Sequence, residues 1–246
     1  MRAAPHPTDL NRLRDFGLRS LTRCGVLEAD EERTARAALA EAHFQPADHE
    51  LIAEGDPLNR PFLLLEGWAV RQRVLSDGRR QIFSFILPGD GFGFCPRQDG
   101  ISLSSTVALT PVATARMPLL SDALHRKPSS ALTRAAWNML SLEESCLVNE
   151  TVRLGRQSAY ERLIHLLLEF HDRLDAVGLV QDGAFTMPFT QEVLSDALGL
   201  STVHTNRTLQ QLRRERLIET HMPVVQLLDL NLLAEIADYR RSPRLA

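Results

Sequence analysis

The stretch from Thr190 to Leu217, TQEVLSDALGLSTVHTNRTLQQLRRERL, constrains this chain more than any other. Thr190 is a residue type that caps helix N-termini, and Glu192 puts a negative charge in the first turn, where the helix dipole favours it. Val193, Leu194, Ala197 and Leu198 follow as an apolar set at helical spacing. Gly199 can take positive φ and end the helix. Leu200 plugs the turn, and Ser201 stands ready to cap a second helix. Ser195 is small, so two helices can approach closely there. The stretch therefore predicts two short helices joined by a tight turn.

The second helix has two distinct sides. At 100° per residue, Leu209 and Leu212 fall within about 40° of Thr205 and mark the buried side. Val203, Asn206, Arg207, Gln210 and Arg214 fall opposite. That face is short, polar at its N-terminal end and led by an arginine, which is what a recognition helix offers to base edges. The candidate DNA contacts are Thr190, Ser201, Thr202, Val203, His204, Asn206, Arg207, Gln210 and Arg214. A plain helical hairpin with a solvated face would show a similar pattern, so the rest of the chain has to discriminate.

Composition sets limits. A chain of 246 residues with 44% hydrophobic and 24% charged residues is an ordinary globular composition, enough for one large or two small domains. No apolar run is long enough to span a bilayer, and the N-terminus, MRAAPHPTD, has no apolar signal-peptide core. A cytoplasmic protein without membrane contact is expected. Net charge is −3, and from Phe185 onward seven arginines face seven acidic residues. The case for DNA thus rests on local placement, with Arg207, Arg213, Arg214 and Arg216 clustered. Lys127 is the only lysine, so nearly every cation is an arginine, which suits bidentate contact with phosphate or guanine. Cys24, Cys95 and Cys146 lie far apart with no C-x-x-C pair, which argues against zinc or iron–sulfur sites and for buried thiols.

Upstream, the order of elements is readable. Leu10, Leu13 and Leu21 suggest a short amphipathic helix, and a second runs from about Asp30 to Ala42. From Phe44 to Met117 the pattern changes to about eight short strands and turns, as in a jelly roll or β-roll. Trp68, Val70, Gln72 and Val74 alternate onto one side, Ser76-Asp77-Gly78 is a hairpin turn, and Ile101 to Ala115 holds two strands broken at Thr110-Pro111. Pro128 is placed to open a long helix at its first position, with Gly155 as its stop. Its apolar positions include Leu132, Ala136, Met139, Leu140, Leu147 and Leu154. Leu140, Leu147 and Leu154 are spaced by heptads, which suggests a dimer seam that Glu143, Glu144 and Glu150 leave imperfect. Tyr160 to Leu174 is another amphipathic helix. A short strand, Phe185 to Phe189, leads into Thr190; Ile218 to Leu228 reads as a two-stranded wing, and Asn231 to Tyr239 as a closing helix.

Several motifs along this order resemble the Crp/Fnr superfamily of bacterial transcription regulators. They are Glu54-Gly55-Asp56, Leu65-Glu66-Gly67, Asp77-Gly78-Arg79-Arg80-Gln81-Ile82 and Pro88-Gly89-Asp90, then Leu154-Gly155-Arg156, Glu161-Arg162 and the helix-turn-helix. The resemblance implies an α+β chain. An N-terminal cyclic-nucleotide-binding-like β-roll with its preceding helices would occupy residues 1–127, a dimerisation helix 128–155, and a C-terminal winged helix-turn-helix 156–246. It also implies a homodimer on palindromic double-stranded DNA, RNA polymerase as a partner, and a signal received at the roll.

Departures from the family pattern are informative. The family's cyclic-nucleotide binders carry Phe-Gly-Glu, the Glu taking the ribose hydroxyl, and later an Arg for the phosphate. Here the first is Phe92-Gly93-Phe94, and the second falls in Ser102-Leu103-Ser104-Ser105-Thr106, with no arginine. Phe92, Phe94, Leu103 and Ser104 mark the candidate effector pocket; a buried phosphate there would lack its counter-charge, so cyclic AMP is not expected and no cofactor is identified. The cysteine cluster of the iron–sulfur members is missing. Val203 stands where many members have Glu, and Asn206 where they have Ser or Gly, while Arg207 is kept. Arg207 should read a guanine, Asn206 an adenine and Val203 a thymine methyl.

Three rivals remain in view. A haem- or cysteine-redox-sensing regulator would draw on the eight histidines and Cys95, but no spacing argues for such a site. A cupin-like enzyme would need clustered His ligands, and residues 50–120 contain no histidine; no catalytic residues or metal ligands are assigned. A roll that binds a protein and has lost DNA function conflicts with the intact arginine-led face.

Overall fold

The computed structural model describes residues 7–23, 25–58, 61–94, 100–124 and 130–240. Cys24, Cys95 and the expected helix start at Pro128 lie outside these residues. The chain forms two compact units, Met1–Arg71 with Phe85–Glu144, and Gln72–Ser84 with Ser145–Arg244.

In the first unit, α1 (Pro7–Thr22) and α2 (Ala29–Ala40) precede the roll strands, of which only the hairpin residues Gln72–Ser84 belong to the second unit. A reciprocal capping box between Glu28 and Glu31 starts α2. Gly17 lets α1 come down onto its neighbours: a Cβ there would meet Leu39 and Leu65 side chains at 2.5 and 2.8 Å. Among the described residues eight strands follow: β1 (His43–Gln45), β2 (Glu50–Ile52), β3 (Phe62–Glu66), β4 (Ala69–Val74), β5 (Arg80–Ile86), β6 (Gly91–Phe92), β7 (Ser105–Ala108) and β8 (Val112–Arg116). They form two four-stranded sheets, ordered β1-β8-β3-β6 and β2-β7-β4-β5. Leu63 pairs with Ala115 and Gly91, and Phe44 with Ala113, all antiparallel. One apolar cluster joins Leu13, Leu21 and Leu39 of the helices to Leu63, Leu65 and Ala115. A second fills the roll with Ile52, Leu64, Ala69, Ile86, Phe92, Ala108 and Val112.

The roll motifs prove to be turns with definite work. Asp56 accepts from the Ala53 N–H at 2.9 Å, and Asp90 from the Leu87 N–H at 2.7 Å. Gly67 has φ +84°, and a Cβ there would run into the Pro111 carbonyl; only glycine fits such an approach at positive φ.

Two strand expectations need correction. Trp68, Val70 and Gln72 are buried, but Val74 is 56% exposed, because β4 runs out of the core before its end. The strand expected from Ile101 starts only at Ser105; Ile101 itself makes an isolated bridge to Pro57.

After α3 (Pro118–Leu124) comes the long helix α4 (Ala131–Arg156). Gly155 does not stop it. The helix continues to Arg156, and Ser158 then caps the next helix with a box closed by Glu161. The chain breaks where those capping bonds compete with helix continuation, not where glycine permits a left-handed turn.

The second unit holds α5 (Ala159–Asp175), β9 (Ala184–Thr186), α6 (Gln191–Leu198), α7 (Thr202–Arg214), β10 (Ile218–His221), β11 (Val224–Leu227) and α8 (Leu230–Ile236). From Leu163 to His171 α5 is buried all round, as befits the central helix of a small domain. The wing has a third strand: β9 pairs with β11, Val225 opposite Phe185, in the order β10-β11-β9.

Candidate nucleic-acid interface

Helices α6 and α7 form the expected helix-turn-helix. Gly199 ends α6 at φ 63°, in the left-handed region, and Ser201 caps α7 by accepting from the His204 N–H at 3.3 Å. Thr190 does occupy the N-cap position of α6, but its hydroxyl makes no capping bond; its carbonyl takes the Leu194 N–H at 3.4 Å instead.

The two helices meet through hydroxyls. Thr205, fully buried, lies 3.0 Å from Ser195 Oγ, which also donates to the Gln191 carbonyl at 2.7 Å. Two small polar residues therefore sit at the crossing without an unpaired group, which a larger side chain at Ser195 would prevent. Leu209 and Leu212 complete the buried side.

The opposite side is open. Thr202, Val203, His204, Asn206, Arg207, Gln210 and Arg214 are exposed, as is Ser201. Thr202, Val203, Asn206 and Arg207 line one shallow groove. Val203 is 72% exposed, an apolar side chain left in solvent. Thr190 is exposed too, at the start of α6.

Arg162 ties this motif to α4. Its Nε donates to the Gln157 carbonyl at 2.8 Å, Nη2 to Leu154 at 3.0 Å and Nη1 to Leu198 at 3.0 Å. One guanidinium thus satisfies carbonyls at the C-terminal ends of α4 and α6, groups that helix geometry leaves without partners. Leu154 lies at the same joint: a Cβ on Gly199 would come within 3.2 Å of its Cδ2. These contacts explain the sequence motifs around Leu154 and Arg162.

Just below that joint is a buried ionic cluster that sequence reasoning missed. Arg153 is 2% exposed. It donates to Glu150 at 2.8 Å and Glu169 at 2.8 Å, and its Nη1 lies 3.1 Å from His165 Nδ1. Arg173 reaches the other oxygen of Glu169 at 3.2 Å, and Asn149 donates to Glu169 at 3.3 Å. Burial pushes the Glu150 carboxyl up to about 7 despite Arg153, and pulls His165 down to about 4, helped by the arginine's charge. A raised carboxyl pKa means the folded chain holds a proton the unfolded chain has lost, so Glu150 lowers stability progressively as pH rises from about 4.5 to about 7. Glu150→Gln removes that dependence. Its melting temperature relative to wild type should rise between pH 5 and pH 8; an unchanged difference across that range would contradict the assignment.

The other candidate residues fare unevenly. In α4, Leu132 is buried in its own unit's core, and Met139 and Leu140 pack against the same cluster. These three cannot form a surface seam, and Leu154 is committed at Gly199; only Leu147, 37% exposed, faces outward. The seam expectation fails for Leu132, Met139, Leu140 and Leu154, which face the interior. In the roll, Phe92 stacks on Phe62 with centroids 5.3 Å apart, while Phe94 belongs to the cluster beneath α1 and α2. Ser104 is buried and Leu103 is 73% exposed. The four do not converge on one pocket: Phe92 and Phe94 sit in different apolar clusters, and Leu103 faces solvent where Ser104 does not.

Known proteins fit this geometry. Residues 161–236 match the Crp-like helix-turn-helix domain, and residues 43–121 the cyclic nucleotide-binding domain. The chain is 31% identical over 214 residues to the transcriptional activatory protein AadR of Rhodopseudomonas palustris, covering 86% of this chain and 87% of that one. It is 29% identical to the nitrogen fixation regulation protein FixK of Bradyrhizobium diazoefficiens, covering 87% and 89%. The structure of FixK2 from Bradyrhizobium japonicum superposes with a TM-score of 0.69 at 25% identity, over 82% of this chain and 98% of that one. With the exposed face of α7 and its capped, tightly crossed scaffold, these likenesses settle the class: the chain is a DNA-binding transcription regulator, not an enzyme, and it belongs to the Crp/Fnr superfamily.

Proposed function

We propose that the protein acts as a homodimer on a palindromic operator, each α7 lying in a major groove with its partner about 34 Å away. The observation that carries this is the outward face of α4. Trp137, Val148 and Val152 are 49%, 56% and 45% exposed on it, beside Leu147. With Ser141, Glu144 and Thr151, also exposed, Trp137 and Val148 follow heptad spacing, with Val152 beside them, one face away from the leucines that serve the core. A long helix with valines and a tryptophan in solvent is best satisfied by a second copy of itself. The roll would receive the signal, and RNA polymerase would be the partner of the DNA-bound dimer in the cytoplasm. Cyclic AMP does not suit this roll: Phe94, in place of the ribose-binding carboxylate, is packed into a core.

The test is sedimentation of wild type beside Val148→Glu/Val152→Glu. Wild type should sediment at twice the 27.6 kDa chain mass and the variant as a monomer. The monomer should lose roughly 10²–10⁴-fold in operator affinity, the avidity of two linked modules. A wild type that sediments as a monomer on and off DNA would refute the dimer.

A further inference from the structure

Val203 is the second residue of α7, and its side chain stands in solvent. Asn206 and Arg207 lie three and four positions on, along the same side of the helix, and with Thr202 they line one groove. The helix start that presents this side is fixed. Ser201 caps it through the His204 N–H, and the Ser201 carbonyl takes the Thr205 N–H at 2.9 Å. A β-branched valine in a helix keeps essentially one rotamer, so the Val203 methyls are held in place before any partner arrives. In the major groove a cytosine shows an N4 amino donor, matched by a Glu or Asp side chain; a thymine shows a C5 methyl, matched by an apolar one. From Thr202 to Arg214 α7 carries no carboxylate. Glu215 follows at the C-cap, where it already accepts from the Tyr160 hydroxyl and from Gln211 Nε2. The helix therefore offers the apolar contact to a pyrimidine and not the carboxylate contact.

We infer that Val203 reads the C5 methyl group of a pyrimidine whichever base carries it, so that 5-methylcytosine substitutes for thymine in the operator. Both bases hold the methyl at the same place on the major-groove edge, and a valine makes no hydrogen bond that would separate O4 of one from N4 of the other. An unmethylated cytosine there leaves Val203 facing water, as uracil would. Affinity for an operator with cytosine at this position then rises when the DNA is methylated at C5. The set of sites the protein occupies follows the methylation state of its DNA. This deepens the reading of α7 as a base-contacting helix and rests on it; it does not depend on what the roll senses.

Two pairs of duplexes isolate the methyl group. The starting point is an operator recovered by selection from randomised duplex DNA with the full chain. At each pyrimidine in turn, thymine is compared with uracil opposite adenine, and 5-methylcytosine with cytosine opposite guanine. The members of each pair differ by one methyl group alone. At the position facing Val203, wild type should bind the methylated member of both pairs roughly fourfold more tightly for each half-site changed, as expected for burial of one such group. Val203→Ala withdraws the side chain from the methyl. Both ratios should then fall below about twofold at that position, by the same burial argument. The side chain lies in solvent, so the variant should keep its fold, which its melting temperature verifies. Equal binding within both pairs at every position would overturn the inference. So would a thymine–uracil difference without one between 5-methylcytosine and cytosine, or methyl effects that survive in Val203→Ala. A wild type that selects no sequence from duplex DNA would show a different failure: the reading of α7 itself would fall, and the inference with it.

Discussion

Arg207→Ala should lower operator affinity by roughly 5- to 150-fold, the equivalent of about 1–3 kcal/mol for a bidentate arginine–guanine contact. Arg207 is exposed and lines a groove with Thr202, Val203 and Asn206, early in a helix whose N-terminal end is fixed by the Ser201 cap. Nothing in the core depends on it, so the folded state should survive the change. The loss should also be specific: discrimination at one base pair of each half-site should relax. Arg214→Ala offers the contrast. It is exposed near the other end of α7, where contact with phosphate is expected. Its loss should weaken binding to all sequences alike and reduce the salt slope by about one. Competition titrations on single-base operator variants separate the two. Uniform weakening by Arg207→Ala would remove it from the set of base-reading residues.

Arg153→Ala should destabilise the fold by about 3–5 kcal/mol, the typical cost of leaving a buried charge unpaired. The arginine is 2% exposed and stands between Glu150 and Glu169, which are 5% and 4% exposed. Its loss leaves Glu150 without the cation that opposes its desolvation, and leaves Glu169 with Arg173 and Asn149. Urea denaturation at neutral pH measures the effect. Part should be recovered at lower pH, where Glu150 takes up a proton. Arg153→Ala/Glu150→Gln should likewise be more stable than Arg153→Ala. A loss below about 1 kcal/mol would mean that water reaches this cluster and screens it as it would a surface pair.

Arg207 and Arg153 differ in how far the sequence reveals their surroundings. The face of α7 was legible because helical periodicity separates Thr205, Leu209 and Leu212 from Val203, Asn206 and Arg207 without tertiary information. The turn was legible because Gly199 and Ser201 act locally. The ionic cluster was not, since Glu150, Arg153, His165 and Glu169 read as polar interruptions in α4 and α5. Their placement depends on how two helices cross. One clue existed: His165 and Glu169 sit among Leu163, Ile164, Leu166, Leu167 and Phe170, a helix too apolar to leave any face in solvent. The heptad leucines of α4 mislead for a related reason. Heptad spacing marks Leu140, Leu147 and Leu154, but a roll and a DNA-binding unit both compete for the apolar side of α4. Glu143 read as a flaw in that seam, whereas it faces Arg71. Gly155 reads as a stop, since glycine favours helix ends, while the Ser158–Glu161 box that breaks the chain lies three residues on.

On the proposed function, α7 reads a two-fold symmetric DNA sequence. Selection of bound duplexes from a randomised pool, using the untreated protein with Arg207→Ala alongside, tests it most directly. The expected result is a palindromic motif whose half-sites lie about one helical turn apart. It should carry a guanine assigned to Arg207, an adenine to Asn206 and a thymine to Val203, and it should be lost or relaxed at the guanine in the variant. An enriched motif without two-fold symmetry, or one indifferent to Arg207, would contradict it.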